Sequence, residues 1–345
     1  MDPSWLHAAP TYCQFPFPGY EKTLSRVDAL SALSKLFPVA LAFGAGILFA
    51  RRKVIAPETS KAFSDFSFLF GIPCYLFGNV YGSDLHTLFV WRALSGYIAS
   101  ATVSMALVGL AAYLFTSREP QGIALRIMAG IQVNTAYFAV PVFIMLFGTA
   151  TPIFSVLLFQ VCVLSSVVIL IMELGAADPG ARPAARAGRA LWSSLTTPLV
   201  LSCLAGLALN LLSVRVPGTV LDGFSFVGAS ASPVALFALG LHLGGSGLRI
   251  RGTPLEEIWL VAFKCVIFPL LTLAVCFFIF RVRGIWLDYL VLIAAMPAPQ
   301  NLFIFAQRYD VDAETVEMSA SLVVKSSVAA LLLLPLWVQL AQELR

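Results

Sequence analysis

The sequence predicts an all-α polytopic membrane protein: ten transmembrane helices in two inverted five-helix repeats, with the fourth and ninth helices interrupted. Three observations predict it. Of the 345 residues, 59% are hydrophobic and 12% are charged, and the mean hydropathy is +0.88, which suits a chain solvated by lipid and not a soluble enzyme. Proline and glycine positions recur at one offset between the two halves. Two apolar runs, NTAYFAVP at Asn134 to Pro141 and AAMPAPQNLFIFA at Ala294 to Ala306, are broken by amides and prolines.

Taken in order, apolar spans separated by polar or Gly/Pro punctuation fall at 35–50, 62–81, 91–115, 123–147, 153–174, 192–212, 220–243, 258–280, 286–306 and 315–340. The first is shorter than the ~20 residues a perpendicular helix needs, so it must borrow from its flanks. Residues 1–34, with Pro3, Pro10, Pro16 and Pro18, lack a basic start followed by an apolar core and read as an exposed extracytoplasmic segment, not a signal peptide. The expected organisation is a first five-helix repeat at 35–174, a cytoplasmic linker at 175–191 containing GARPAARAGR, and a second repeat at 192–345.

The repeat rests on five matches at an offset of 160 residues: Pro38/Pro198, Gly46/Gly206, Pro57/Pro217, Pro73/Pro233 and Phe77/Phe237. Five spans per half is an odd number, so the second half enters the membrane from the opposite face. Span 4 then corresponds to span 9, the two that carry the interruptions. Loops after odd spans hold ten lysines and arginines, densest at Arg51–Lys53 and Gly180–Arg189, against eight on the other side. That bias puts odd loops in the cytoplasm and both termini outside, in a cell membrane.

The interruptions are costly for a reason. An unpaired amide in hydrocarbon costs several kcal/mol, so non-helical backbone at membrane depth survives where protein buries it or where it lines a cavity. Pro297 and Pro299 each delete a donor and free carbonyls. Asn134 and Thr135 offer an amide and a hydroxyl near Pro141, either to a solute or to a neighbouring helix, and Tyr137 either stacks on a carboxylate-bearing solute or packs. Gln300 and Asn301 present donors and acceptors from different sides of a helix, which one solute meets only if the backbone unwinds. Gln160 is a third amide at depth, with the same pair of readings.

Two lysines within spans also need a reason. Lys264, one turn before Pro269, either snorkels to an interface or sets local charge. Lys325, inside VVKSS, either neutralises a bound carboxylate or stands where other carriers hold a coupling cation; Asp65 in span 2 is its candidate partner or an ordinary interface carboxylate. The six cysteines lie singly, His7, His86 and His242 lie far apart, and no nucleophile or phosphate-loop motif occurs. No metal, cofactor, catalytic residue or nucleic-acid partner is therefore expected.

These motifs resemble the auxin efflux carrier family, which includes plant PIN auxin transporters and bacterial carriers of malate or malonate type. Residues 56–73, APETSKAFSDFSFLFGIP, look like its second-helix region. NTAYFAVP resembles its Asn-Thr-x-x-x-Gly-x-Pro motif, and Phe159–Gln160 and residues 294–309 resemble further segments. Coverage runs from about residue 35 to the C-terminus. The long central loop of canal-type plant members is missing, as in short-loop prokaryotic forms. The resemblance implies crossed broken helices 4 and 9 at the substrate site, elevator-type alternating access and a homodimer. Carried over by position, Asn134 and Gln160 contact substrate, while Pro141, Pro297 and Pro299 belong to the crossover. Ala139 departs from the usual glycine, Lys325 from a small or polar residue, and the family's second crossover proline falls near Leu302.

The expected function is secondary transport of a small organic anion, an auxin-like or dicarboxylate solute, with proton or sodium coupling as the two options. Asn134, Gln160, Gln300 and Asn301 would bind it, aided by half-helix dipoles. Two other readings stand beside this one. The first is a sodium-coupled carrier of the bile-acid symporter type. The second is a non-transporting sensor that binds a lipid or metabolite.

Overall fold

The computed structural model describes residues 29–83, 89–150, 153–175, 188, 192, 195–246, 254–299, 301–309 and 313–344. These residues form helices only: α1 (Ala29–Arg51), α2 (60–81), α3 (Trp91–Phe115), α4a (Pro120–Ile131), α4b (135–147), α5 (154–175), α6 (Pro198–Leu211), α7 (Gly218–Ser246), α8 (Leu255–Ile279), α9a (Ile285–Ala294), α9b (Asn301–Arg308) and α10 (Ala313–Glu343). Among the described residues, five helices are long and apolar enough to cross a membrane. They are Trp91–Phe115, Phe154–Met172, Gly218–Gly245, Leu255–Ile279 and Glu314–Ala341. Shorter apolar helices lie at Phe37–Arg51, Pro198–Leu211 and Ile285–Ala294.

Two boundaries differ from the sequence expectation. α1 starts at Ala29, so the short first span does borrow from its N-terminal flank and the N-terminal segment loses its last residues to the helix. α6 starts at Pro198 and not at 192: Pro198 occupies the first turn, where its missing N–H costs nothing and its fixed φ suits a helix start. Most of the linker expected at 175–191, and the first 28 residues of the N-terminal segment, lie outside the described residues.

Proline also shapes helix interiors. π-turns at Ser67–Gly71, Thr135–Ala139 and Phe263–Ile267 each end two residues before a proline, at Pro73, Pro141 and Pro269. A proline cannot donate to the carbonyl four residues back and its ring crowds that carbonyl, so the preceding turn widens and pairs i to i+5. At Pro269 the abandoned carbonyl is that of Cys265, and it accepts the indole Nε1–H of Trp337 on α10 at 3.0 Å.

α1, α2, α6 and α7 pack on one another, while α3, α4, α5, α8, α9 and α10 gather around the interrupted helices. Glycine sets the closest approaches within the first group. A Cβ at Gly46 of α1 would lie 2.3 Å from the carbonyl oxygen of Phe237 on α7, and one at Gly206 of α6 would lie 2.9 Å from that of Phe77 on α2. Backbones this close require small residues, the usual route to tight helix contact where lipid supplies no hydrophobic drive.

Candidate functional site

α4 breaks because its ladder stops at Ile131. Gln132 takes an extended conformation (φ −73°, ψ 152°) and the helix resumes at Thr135. α9 breaks between Ala294 and Asn301, where Pro297 and Pro299 interrupt the donor series. The two gaps meet: Asn134 N–H donates to the Pro297 carbonyl at 2.9 Å. Asn134 O accepts from Ala139 N–H, closing the π-turn. Across the other side of the α9 gap, Ala298 N–H donates to Ser326 Oγ at 3.1 Å, so α10 holds the break open. The irregular backbone of both gaps is thus partnered within the protein, which is what a broken helix inside a membrane would require.

Asn134 is 2% exposed and Thr135 is also buried. Pro141 does not stand at the gap. It lies inside α4b, seven residues beyond Asn134, where it sets the π-turn. Pro297 and Pro299 lie in the α9 gap and are buried. Asn301 opens α9b and is exposed. Gln300 lies outside the described residues, as does the side chain of Tyr137.

Gln160 is 3% exposed on α5 and donates through Nε2 to the Tyr97 hydroxyl of α3 at 2.7 Å, with the Ile131 carbonyl at 3.5 Å. It sits in a π-turn at Phe159–Leu164. Beside it, Gln132 Nε2 donates to Ser165 Oγ at 3.3 Å, and Ser165 Oγ donates to the Gln160 carbonyl at 3.1 Å. A polar cluster on α3, α4 and α5 therefore backs the gap that holds Asn134. Gln132 and Tyr97 were missed in the sequence. Gln132 had a signal, being an amide two residues before Asn134 in the same apolar run; Tyr97 had none.

The charged candidates fall elsewhere than expected. Lys325 forms an ion pair with Glu257 on α8, and Ser321 Oγ donates to the same carboxylate oxygen at 2.8 Å. Asp65, its expected candidate partner, is exposed on α2. The neighbouring Glu256 pairs with Arg126 of α4a, whose Nη1 also donates to the Gly122 carbonyl at 2.9 Å. Two consecutive acids in the first turn of α8 thus tie that helix to α10 and to α4a, and the positive end of the helix dipole favours both. Lys264 does not snorkel. It is 1% exposed, and its Nζ donates to the Ala294 carbonyl at 3.1 Å.

A cavity of about 210 Å³ lies between α1, α2, α4b and α7, lined by Pro38, Tyr75, Met145, Ser232 and Pro233 among others. Neither gap residue, Asn134 or Pro297, lines it. At its edge the Tyr75 hydroxyl accepts Ala150 N–H at 3.0 Å, linking α2 to the loop after α4b. Among the described residues no three His, Cys, Asp or Glu side chains gather as metal ligands would.

Comparison with known proteins bears on this arrangement. The family model described as "Membrane transport protein" matches residues 31–338. Over 133 residues the chain is 31% identical to a protein of Rhizobium meliloti (strain 1021) named "Putative malonate transporter". That stretch is 38% of this chain and 41% of the relative, so the match spans about two-fifths of the relative's length.

Proposed function

From the premise that this chain belongs to the membrane transport protein family, which takes in the auxin efflux carriers, we propose that it is a secondary carrier of small organic anions working by alternating access. A carboxylate of malonate size is the first solute to try, given the name of the relative. The observation that carries the reading is the hydrogen bond from Asn134 N–H to the Pro297 carbonyl. It supports a crossing of two broken helices at which α4b and α9b both begin. Their first-turn N–H groups and positive dipole ends favour a carboxylate there.

In this reading Asn134 and Thr135 meet the solute from α4, Gln300 and Asn301 meet it from α9, and Tyr137 stacks or donates. Gln160 orients the α4 gap through Tyr97 and the Ile131 carbonyl. α1, α2, α6 and α7 serve as scaffold for an elevator-type motion of the remaining helices, and the carrier works as a homodimer with both termini extracytoplasmic. Two inverted repeats of five helices are supported by a reciprocal contact. Gly46 abuts Phe237 and Gly206 abuts Phe77, and the same 160-residue offset turns one pair into the other.

The test is uptake of radiolabelled malonate and other dicarboxylates into proteoliposomes. Asn134→Ala and Gln300→Ala are expected to lower uptake while leaving expression and melting behaviour intact. Wild-type rates from both variants would remove these residues from the site.

A further inference from the structure

Lys264 stands where a broken helix most needs a cation. α9a ends at Ala294, and its last carbonyls carry the negative end of the helix dipole without helical donors. Val291 O keeps its helical donor, Ala295 N–H, and Ile293 O recovers one from Met296 N–H. Ala294 O does not. Its helical donor would be Ala298 N–H, four residues on, and that group is turned away to Ser326 Oγ. Lys264 Nζ fills the vacancy at 3.1 Å.

The lysine is aimed there by α8. It lies in the π-turn that precedes Pro269, and its ammonium also sits 4.7 Å from the ring centroid of Phe268, one turn on. At 1% exposure it has no route to water at an interface. Among the described residues the ion pairs of this helix group use Arg126 and Lys325, each with its own glutamate, and no carboxylate pairs with Lys264. Its Nζ faces a helix C-terminus and an aromatic ring, and half-helix C-terminal ends are where broken-helix carriers hold a coupling cation.

We propose that Lys264 is a tethered cation at the break of α9, occupying the carbonyl end of α9a in place of a dissociable sodium ion. Transport by this chain then needs no sodium, and shortening Lys264 opens a vacancy that sodium fills. The proposal rests on the carrier reading above and decides against sodium coupling within it.

The experiment compares sodium chloride with choline chloride at equal concentration, on purified protein and in proteoliposomes. Wild-type protein is expected to melt at the same temperature in both salts and to take up malonate equally in both. Lys264→Ala is expected to lose about tenfold in uptake in choline, to recover several-fold in sodium, and to melt higher in sodium than in choline. Lys264→Arg retains a fixed cation and is expected to keep sodium-independent uptake. A merely structural lysine would give an Ala variant damaged equally in both salts, and that result overturns the proposal. Wild-type uptake or melting that depends on sodium overturns it too, as does sodium dependence in Lys264→Arg. Should malonate be neither taken up by wild-type protein nor raise its melting temperature, while the melting temperatures of wild type and Lys264→Ala in the two salts run as expected, the solute assignment fails and the tethered cation stands.

Discussion

Asn134 and Pro297 join the two interrupted helices through one backbone hydrogen bond, from the amide of the first to the carbonyl of the second at 2.9 Å. The proline matters because it lacks an N–H and cannot continue the α9 ladder, and the asparagine matters because α4 has already unwound before it. Since the bond is made by backbone, it survives truncation of the Asn134 side chain. Asn134→Ala should therefore fold with an unchanged melting temperature and still lose about tenfold in solute uptake. A large drop in thermal stability would instead assign the carboxamide a structural role.

Gly46→Ala should destabilise by about 1–3 kcal/mol, because its Cβ would meet backbone that cannot rotate away, 2.3 Å from Phe237 O. Gly206→Ala, with 2.9 Å to Phe77 O, should cost less. Gly44→Ala has nothing within 4 Å and serves as the control, neutral or slightly stabilising through helix propensity. Thermal unfolding in detergent, followed by intrinsic fluorescence, gives the ranking; equal effects at 44 and 46 would contradict the close approach of α1 and α7.

Removing one partner of the Glu257–Lys325 pair leaves the other charge poorly compensated at 7% and 17% side-chain exposure respectively. Lys325→Met or Glu257→Gln alone should each cost about 3–5 kcal/mol, while the double variant should recover much of that loss. A double-mutant cycle measures it, and additive losses would mean that the pair is not coupled.

Trp337→Phe removes the N–H that satisfies Cys265 O and should cost about 1–2 kcal/mol. In a Pro269→Ala background the residue at 269 regains its own N–H for that carbonyl, so the same Trp337→Phe change should cost less. An equal cost in both backgrounds would show that the indole acts by packing alone.

The membrane class and the positions of the interruptions in α4 and α9 were legible because each is a local property. An apolar run of about 20 residues has few alternatives to a membrane helix, and proline or amides within it are visible where they stand. The prolines at 73, 141 and 269 were legible as breaks in the donor series. Whether the helix would widen, as it does at all three, or part, as at Pro297, depends on what receives the freed carbonyls. For Cys265 O the receiver is Trp337, on a helix far along the chain.

By itself, then, the sequence determined a helical membrane chain of the auxin efflux carrier type with polar breaks in its fourth and ninth spans. Only the tertiary structure decided which polar groups meet. Lys325 turns to Glu257 and away from Asp65, Lys264 caps α9a without snorkelling, and Gln132 and Tyr97 join Gln160 behind the Asn134 gap. The physical reason is that helical period tells which residues share a face. The partner of that face is set by the packing of helices distant in sequence, where a buried charge or amide must take whichever complementary group the fold brings within hydrogen-bonding reach.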